Sequence, residues 1–342
     1  MILLRILSLL LIEASIVHLL PTENNQLTLD EITEYINHHP SAGWKAEKYS
    51  RFQSAEDARH ALASILLKDS DEINKKVQVV SHEHLKVKLP KKFDARKKWK
   101  HCSSIGTVYD SSRCNSLYAL VSAATMSDRI CIQSKGKMNI TLSSIDIVSC
   151  CPSCGNGCQG GGYLQPWDFW LTQGIVTGGT NKSTNNCLPY PFPKCEHIHT
   201  KGKYPACKPG IVKTPKCTKK CQPNYKVKYN NDKHYGDKYY LVSQNETDIM
   251  KEIFVNGPVE AALSVYLDFF NYKSGIYKHM TGEYLGAAPV RIIGWGKENH
   301  TRYWLCSHVW NEDWGEKGYF RILRGKNECS IEETIVGGIA RL

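Results

Sequence analysis

Cys306 and His308 stand two residues apart in the run Cys-Ser-His. On an extended strand that spacing points both side chains to one face. An imidazole beside a thiol can generate the thiolate that attacks a carbonyl carbon. The competing reading of Cys306 is a small apolar residue packed in a core. A second group of candidates is Cys150-Cys151-Pro152-Ser153-Cys154-Gly155-Asn156-Gly157-Cys158 together with Cys217-Thr218-Lys219-Lys220-Cys221. These spacings suit a tetrahedral zinc site or a set of disulfide crosslinks. Twelve of the 14 cysteines fall between Cys102 and Cys221, a density that favours crosslinks formed in an oxidising compartment. His197 and His199 flank Ile198, again at strand spacing. The sequons at Asn139, Asn181, Asn245 and Asn299 are candidate glycan acceptors, and so candidate surface loops.

The elements that must position these residues divide the chain near residue 88. Met1 to Ile12 is apolar apart from Arg5 and Ser8, and Glu13 and the small pair Ala14-Ser15 follow it. We read residues 1–14 as a secretory signal peptide, with an apolar N-terminal anchor as the alternative. Residues 15–88 carry no cysteine. Leu29 to Ile36 and Glu56 to Leu67 read as amphipathic helices, and Lys68 to Val87 as a charged linker. Beyond residue 88, Leu117, Leu120, Val121 and Ala124 form an apolar stripe that predicts a helix from Ser116 to Ile132, with Ser116 as its N-cap. Pro166 to Trp170 and Met250 to Val255 are shorter helical candidates. Val259 to Tyr266, Val290 to Trp295, Tyr303 to His308 and Tyr319 to Leu323 read as strands between Gly, Asn and Asp turns. The expected class is α+β, a helical half followed by a β half, with the crosslinks in the first.

Composition narrows the functional classes. Hydrophobic residues make up 42% of the chain and charged residues 23%, which suits a folded globular protein rather than a disordered or fibrous one. The mean hydropathy of −0.39 excludes a multi-span membrane protein. The net charge of +11 is spread out. Its densest patches, Lys97-Lys98-Trp99-Lys100 and Lys213 to Lys220, are short, so solvated lysines are favoured over a nucleic-acid surface.

Several motifs carry a family resemblance. Leu89-Pro-Lys-Lys-Phe-Asp-Ala-Arg96 resembles the mature start of papain-family cysteine proteases. Met126-Ser-Asp-Arg-Ile-Cys131, Asp232-Lys-His-Tyr-Gly236, Tyr272-Lys-Ser-Gly-Ile-Tyr277, Gly294-Trp-Gly296 and Trp310-Asn-Glu-Asp-Trp-Gly315 are similar to cathepsin B, and the whole looks like its flatworm type. Cys195-Glu-His with Pro205-Ala-Cys207 resembles the occluding loop, and Ala42-Gly-Trp-Lys-Ala46 the propeptide. The resemblance implies a two-lobe papain-like fold, with a helical left lobe and a β-barrel-like right lobe. It implies a propeptide over residues 15–88 and a papain-like domain over 89–342. It implies the pairs Cys102–Cys131, Cys114–Cys158, Cys150–Cys217, Cys151–Cys154, Cys187–Cys221 and Cys195–Cys207, which leave Cys306 and Cys329 over. It also places Gly160, Gly161, Trp310 and Thr334 along a substrate cleft.

The same resemblance exposes a departure. Where the family reads Asp-Gln-x-x-Cys-Gly-Ser-Cys-Trp, this chain reads Asp110-Ser111-Ser112-Arg113-Cys114-Asn115-Ser116-Leu117-Tyr118. Leu117 stands at the nucleophile position and Ser111 at the oxyanion glutamine. Ala288 stands at the histidine base and His308 at the orienting asparagine. A leucine side chain has no lone pair and an alanine no proton acceptor, so papain-type cleavage is not expected. The paired histidines of the occluding loop are split by Ile198, and Thr334 replaces the acidic residue at the base of the specificity pocket. The expected protein is a monomeric pseudoprotease, secreted or lysosomal. It needs no cofactor or metal, and it binds peptides, host proteins or cystatin-type inhibitors without a membrane span or nucleic acid. The alternative is an active hydrolase with a reassigned nucleophile at Cys306.

Overall fold

The computed structural model describes residues 27–62, 77–197 and 203–342. The leader expected at residues 1–14, the second half of the helix expected to end at Leu67, and His199 lie outside the described residues. Helix α1 (Leu29–His38) begins where Thr28 and Glu31 form a reciprocal capping box, and it buries Leu29, Ile32 and Ile36 on one face. Helix α2 (Ala55–Leu62) buries Ala58, Ala61 and Leu62.

After residue 88 the chain builds α3 (Leu117–Gln133), α4 (Ser144–Cys150), α5 (Gln165–Thr172) and α6 (Glu246–Asn256). All but two residues of α3 are buried, as a helix without a solvent face must be. Among the described residues ten strands complete the fold: β1 (Trp44–Ala46), β2 (Val79–Val80), β3 (Phe93–Asp94), β4 (Gly236–Val242), β5 (Val259–Tyr266), β6 (Tyr272–Tyr277), β7 (Tyr284–Glu298), β8 (Thr301–Ser307), β9 (Tyr319–Leu323) and β10 (Ile335–Ala340). Their order is β1-β6-β9-β8-β7-β5-β10-β4-β2, with β3 paired to β7. Both ends of this sheet are strands from before residue 88. β1 pairs antiparallel with β6, and β2 pairs parallel with β4. The N-terminal segment therefore covers two edges that would otherwise present free N–H and C=O groups.

Three sequence expectations need correcting. Ser116 does not cap α3. Its hydroxyl meets the Tyr190 hydroxyl at 2.7 Å and donates to the Cys114 carbonyl, so a tertiary partner outcompetes the local one. The region read as a linker up to Val87 is partly structural: it supplies β2, and His82 is buried against Glu252. His308 lies beyond β8, which ends at Ser307. Pro289 sits where β7 pairs only with β5, since pairing to β8 begins at Arg291. A missing N–H is tolerated on such an edge. All six disulfides implied by the resemblance are formed, and Cys306 and Cys329 are free.

Buried charges tie α3 to the sheet. Arg129 meets Glu252 of α6 at 2.8 Å, and Asp128 meets Arg291 of β7 at 2.9 Å. Glu260 of β5 accepts from Ser122 of α3 at 2.7 Å and from Trp167 of α5 at 2.8 Å. Burial pushes its carboxyl up to about 8 against the pull of those two donors. A carboxyl whose folded pKa is raised holds its proton in the fold, so its contribution to stability falls as pH rises from about 4.5 through about 8. Glu260→Gln should therefore stabilise the protein relative to wild type increasingly from pH 5 to pH 8. Melting temperatures of the two proteins across that range measure it, and a constant difference would refute neutral Glu260.

Candidate active-site cleft

The head of α3 is assembled by a disulfide and a tight turn. Cys114 is crosslinked to Cys158, the Asn115 N–H donates to the Cys158 carbonyl, and the Ser116 N–H donates back to Cys114. Leu117 follows as the first helical residue and is 1% exposed. A helix N-terminus carries unpaired N–H groups and a partial positive charge, which elsewhere favour an anion or a thiolate. Here a hydrocarbon side chain occupies the place. Ser111 is buried, its N–H donates to Val309, and its carbonyl accepts from Tyr190 at 2.8 Å. Residues 109–111 run antiparallel to 309–311, which brings Ser111 beside the segment that carries His308. Helix α3 also packs on β7, where Ala288 is fully buried opposite Leu263 of β5.

His308 is 1% exposed, and neither ring nitrogen has a hydrogen-bond partner. Its ring is boxed by Trp310 at 4.1 Å, Trp314 at 5.3 Å and Phe269 at 5.9 Å between centroids. Burial, reinforced by the Arg51 guanidinium, pulls its pKa down to about 3. It is a neutral imidazole with nothing to accept from and nothing to donate to. Cys306 packs in β8 between Ile292 of β7 and Phe320 of β9. Burial raises its thiol well above the usual range, so it stays protonated. The two residues form no thiol–imidazole pair, and the apolar reading of Cys306 is the one the core supports. Cys329 is also held as a thiol, by burial and the nearby Glu328 and Asp268 carboxylates.

The cleft is filled by the segment before residue 88. Phe52 is 1% exposed and lies 4.7 Å from Phe270, 4.9 Å from Trp310 and 5.6 Å from His197, centroid to centroid. Arg51 donates to His197 Nε2 at 2.7 Å, pairs with Asp110 at 3.3 Å, and reaches the Ser112 carbonyl. The Ser50 N–H donates to the His197 carbonyl, and the Asn115 amide donates to the His60 carbonyl of α2. Tyr49 bridges the Tyr272 carbonyl and the Gly315 N–H. A cavity of about 670 Å³ remains along this segment, bounded by Arg51, Glu56, Asp57, Arg113 and Lys208.

His197 is thus a buried acceptor for arginine rather than an open loop residue. Burial and the Arg51 charge pull its pKa well below the ordinary value. Gly160 and Gly161 are buried, and a Cβ on Gly161 would lie 2.2 Å from the Cys154 carbonyl and 2.9 Å from the Tyr118 ring. Thr334 is half-buried, and its carbonyl accepts from the Ala262 N–H. The Glu332 oxygens accept from Trp304 and from the Gly325 and Asn327 N–H groups, so this carboxylate is engaged within the protein. Arg51, Phe52, Tyr190 and His82 were missed from sequence. They fall in irregular segments, and nothing periodic marks them. Among the described residues, the one group with metal-ligand spacing is His101, Cys102 and Cys131, and the two cysteines are disulfide-bonded to each other.

Of the four sequons, Asn299 is exposed in the β7–β8 turn and Asn139 is exposed. Asn245 is exposed just before α6 and caps its N-terminus, and Asn181 is half-buried with its amide donating to the Pro191 carbonyl.

Residues 89–339 match the family described as Papain family cysteine protease. A "Cathepsin B-like cysteine proteinase" of Schistosoma japonicum is 52% identical over 323 residues, spanning 94% of each chain. "Cathepsin B-like cysteine proteinase 6" of Caenorhabditis elegans is 41% identical over 330 residues, spanning 94% of this chain and 86% of that one. The solved structure of proCathepsin B S9 from Trypanosoma congolense superposes with a TM-score of 0.77 at 33% identity, covering 91% of this chain and 97% of that chain. This chain belongs to the papain family of cysteine proteases, is cathepsin B-like, and has the fold of a proenzyme with its propeptide.

The boxed imidazole makes a pH prediction. A base whose folded pKa is lowered costs the fold stability as pH falls below its unfolded value, and this continues down to the folded pKa. For His308 that window runs from about 6.5 to about 3. His308→Leu should gain on wild type by about 3 kcal/mol more at pH 4.5 than at pH 7.5. Chemical denaturation at both pH values reads the difference, and equal gains at both would contradict it.

Proposed function

We propose that this cathepsin B-like member of the papain family is a pseudoprotease, which holds peptide or protein ligands in its cleft without cutting them. One observation carries the reading: hydrocarbon fills the head of α3 where the chemistry needs a thiolate, with Leu117 and Ala288 both buried. The accompanying His308 has no partner to orient. In a serine-protease triad, loss of one key member costs as much as ~10⁶ in rate. The relatives' names describe proteinases, and the alternative is that this chain cleaves too. A reassigned nucleophile at Cys306 is disfavoured by its burial and its raised thiol pKa.

The ligands proposed are peptides, host proteins and cystatin-type inhibitors, recognised by the aromatic and glycine-lined cleft once the propeptide is displaced. The site is in the secretory pathway, outside the cell or in the lysosome, where six disulfides persist. Without its own peptidase activity the chain cannot remove its propeptide. That segment is anchored at both sheet edges, while Lys86 and Lys88 are exposed to another protease.

The decisive measurement is turnover of dibasic and hydrophobic peptide reporters by the form lacking residues 15–88. We expect no hydrolysis above the buffer rate and no labelling by a thiol-directed activity probe. Hydrolysis at ordinary protease rates would end the proposal, and labelling that Cys306→Ala abolishes would establish the alternative. In a pulldown, the same form should retain cystatin-type inhibitors at micromolar concentration, and failure to do so would remove that class of ligand.

A further inference from the structure

We infer that the cleft is a receptor for an extended peptide segment in which an arginine is followed directly by an aromatic residue, held by Asp110, His197, Phe270 and Trp310. This inference rests on the reading of the chain as a binder and names its ligand. The observation behind it is the cleft's present occupant. Arg51 and Phe52 are neighbours in sequence, yet their side chains enter different surroundings. The Arg51 guanidinium donates to His197 Nε2 at 2.7 Å, meets Asp110 Oδ1 at 3.3 Å and reaches the Ser112 carbonyl. The Phe52 ring packs against Phe270, Trp310 and His197. His197 touches both side chains, so the two places adjoin.

The receptor side is built from the domain after residue 88. Asp110 Oδ2 accepts from the Asn311 amide at 2.8 Å and the Cys195 N–H at 2.9 Å, and Oδ1 accepts from the Ser112 N–H at 2.7 Å. These three donors orient the carboxylate but carry no charge. Asp110 is buried, and among the described residues Arg51 is its one salt-bridge partner. A buried carboxylate stripped of its counter-charge is costly, so whatever displaces Arg51 has to bring a cation. Nearby acids strengthen that demand. Burial raises the Asp313 carboxyl, and the Glu196, Glu312 and Asp110 charges add to the rise. Of these, Glu312 is paired with Lys194. A ring nitrogen, a carboxylate and a main-chain carbonyl, spread around one group, suit the planar fork of a guanidinium better than the point charge of an ammonium.

The rest of the segment is held less selectively. The Ser50 N–H donates to the His197 carbonyl, a contact that almost any residue could make. The Tyr49 hydroxyl bridges the Tyr272 carbonyl and the Gly315 N–H, so a tyrosine two positions before the arginine adds to the fit. The cavity of about 670 Å³ borders both Arg51 and Phe52, with Ser112, Arg113 and Lys208 among its other walls, and gives an incoming peptide space beside the site. The acidic partner for arginine is Asp110, far in sequence from Thr334, the uncharged residue at the position where the family resemblance expects an acid.

The test uses the full chain carrying Arg51→Ser and Phe52→Ser, which empties both places while β1 and β2 still anchor the propeptide. A fluorescein-labelled peptide, Tyr-Ser-Arg-Phe-Gln, is titrated by fluorescence anisotropy and then recovered for mass spectrometry. Saturable binding is expected, at least about ten-fold weaker when lysine or citrulline replaces the arginine, when alanine replaces the phenylalanine, or when the pair is reversed. The wild-type chain, whose own residues fill the site, should also bind at least about ten-fold more weakly. Adding Asp110→Asn should weaken the arginine peptide about ten-fold and leave the citrulline peptide unchanged, because only the charged ligand uses the carboxylate. If the double variant does not melt cooperatively, the chain with Arg51→Ser alone is titrated with the same expectations. Absence of binding, equal binding of the arginine and citrulline peptides, equal binding to wild type and variant, or an Asp110→Asn effect shared by both peptides overturns the inference. Cleavage of the bound peptide would overturn the pseudoprotease reading and leave the binding preference standing, whereas a peptide neither bound nor cut would do the reverse.

Discussion

Asp128 and Arg129 sit side by side on α3, and each finds its counter-charge on a different element. Asp128 pairs with Arg291 in β7, and Arg129 with Glu252 in α6. The geometry is well supplied: Ser104 donates to Asp128, and Arg129 also donates to the Pro258 and Gly338 carbonyls. Removing one partner from such a buried pair would leave an uncompensated charge, which costs several kcal/mol. These contacts fix the long helix against the sheet. Its N-terminus and the end of β8 then have to meet, and that meeting place is the cleft.

What fills the meeting place differs from what the helix terminus would favour. An N-terminal dipole attracts negative charge, but Leu117 offers none, and the apolar surroundings suit it instead. Burial of a leucine contributes about 2 kcal/mol, so Leu117 contributes to packing at this place. The aromatic cluster of Phe269, Phe270, Trp310 and Trp314 extends this apolar character, and Phe52 of the propeptide completes it. His308 is the anomaly, a polar ring locked neutral inside that cluster.

The propeptide is integrated with the domain it covers. It contributes the two outermost strands, the Phe52 plug, the Arg51 fork on His197 and Asp110, and the His82–Glu252 contact. His82 joins the propeptide to the same glutamate that neutralises Arg129, so the clamp on α3 and the tether of the propeptide share one carboxylate. The Arg129 guanidinium and the His82 and Asn256 donors hold that carboxylate down at about 2 despite its burial.

The periodic parts of this structure were readable without coordinates. The strands Val259–Tyr266 and Tyr319–Leu323 follow from β-type residues bounded by turn signals, and α3 follows from its apolar stripe, because both signals are local properties of the chain. The residue types at the cleft, Leu117 and Ala288 above all, were equally plain, since a missing lone pair needs no geometry to be noticed. Motif resemblance supplied the disulfide pairing, which spacing leaves open. Only the tertiary structure decided the rest. It turned Ser116 from a cap into a partner of Tyr190, made His82 a buried anchor and separated Cys306 from His308. It also brought Arg51 to His197 across 146 positions of sequence. Contacts of that kind depend on which distant surfaces are pressed together, and that is set by the packing of the whole chain rather than by any window of it.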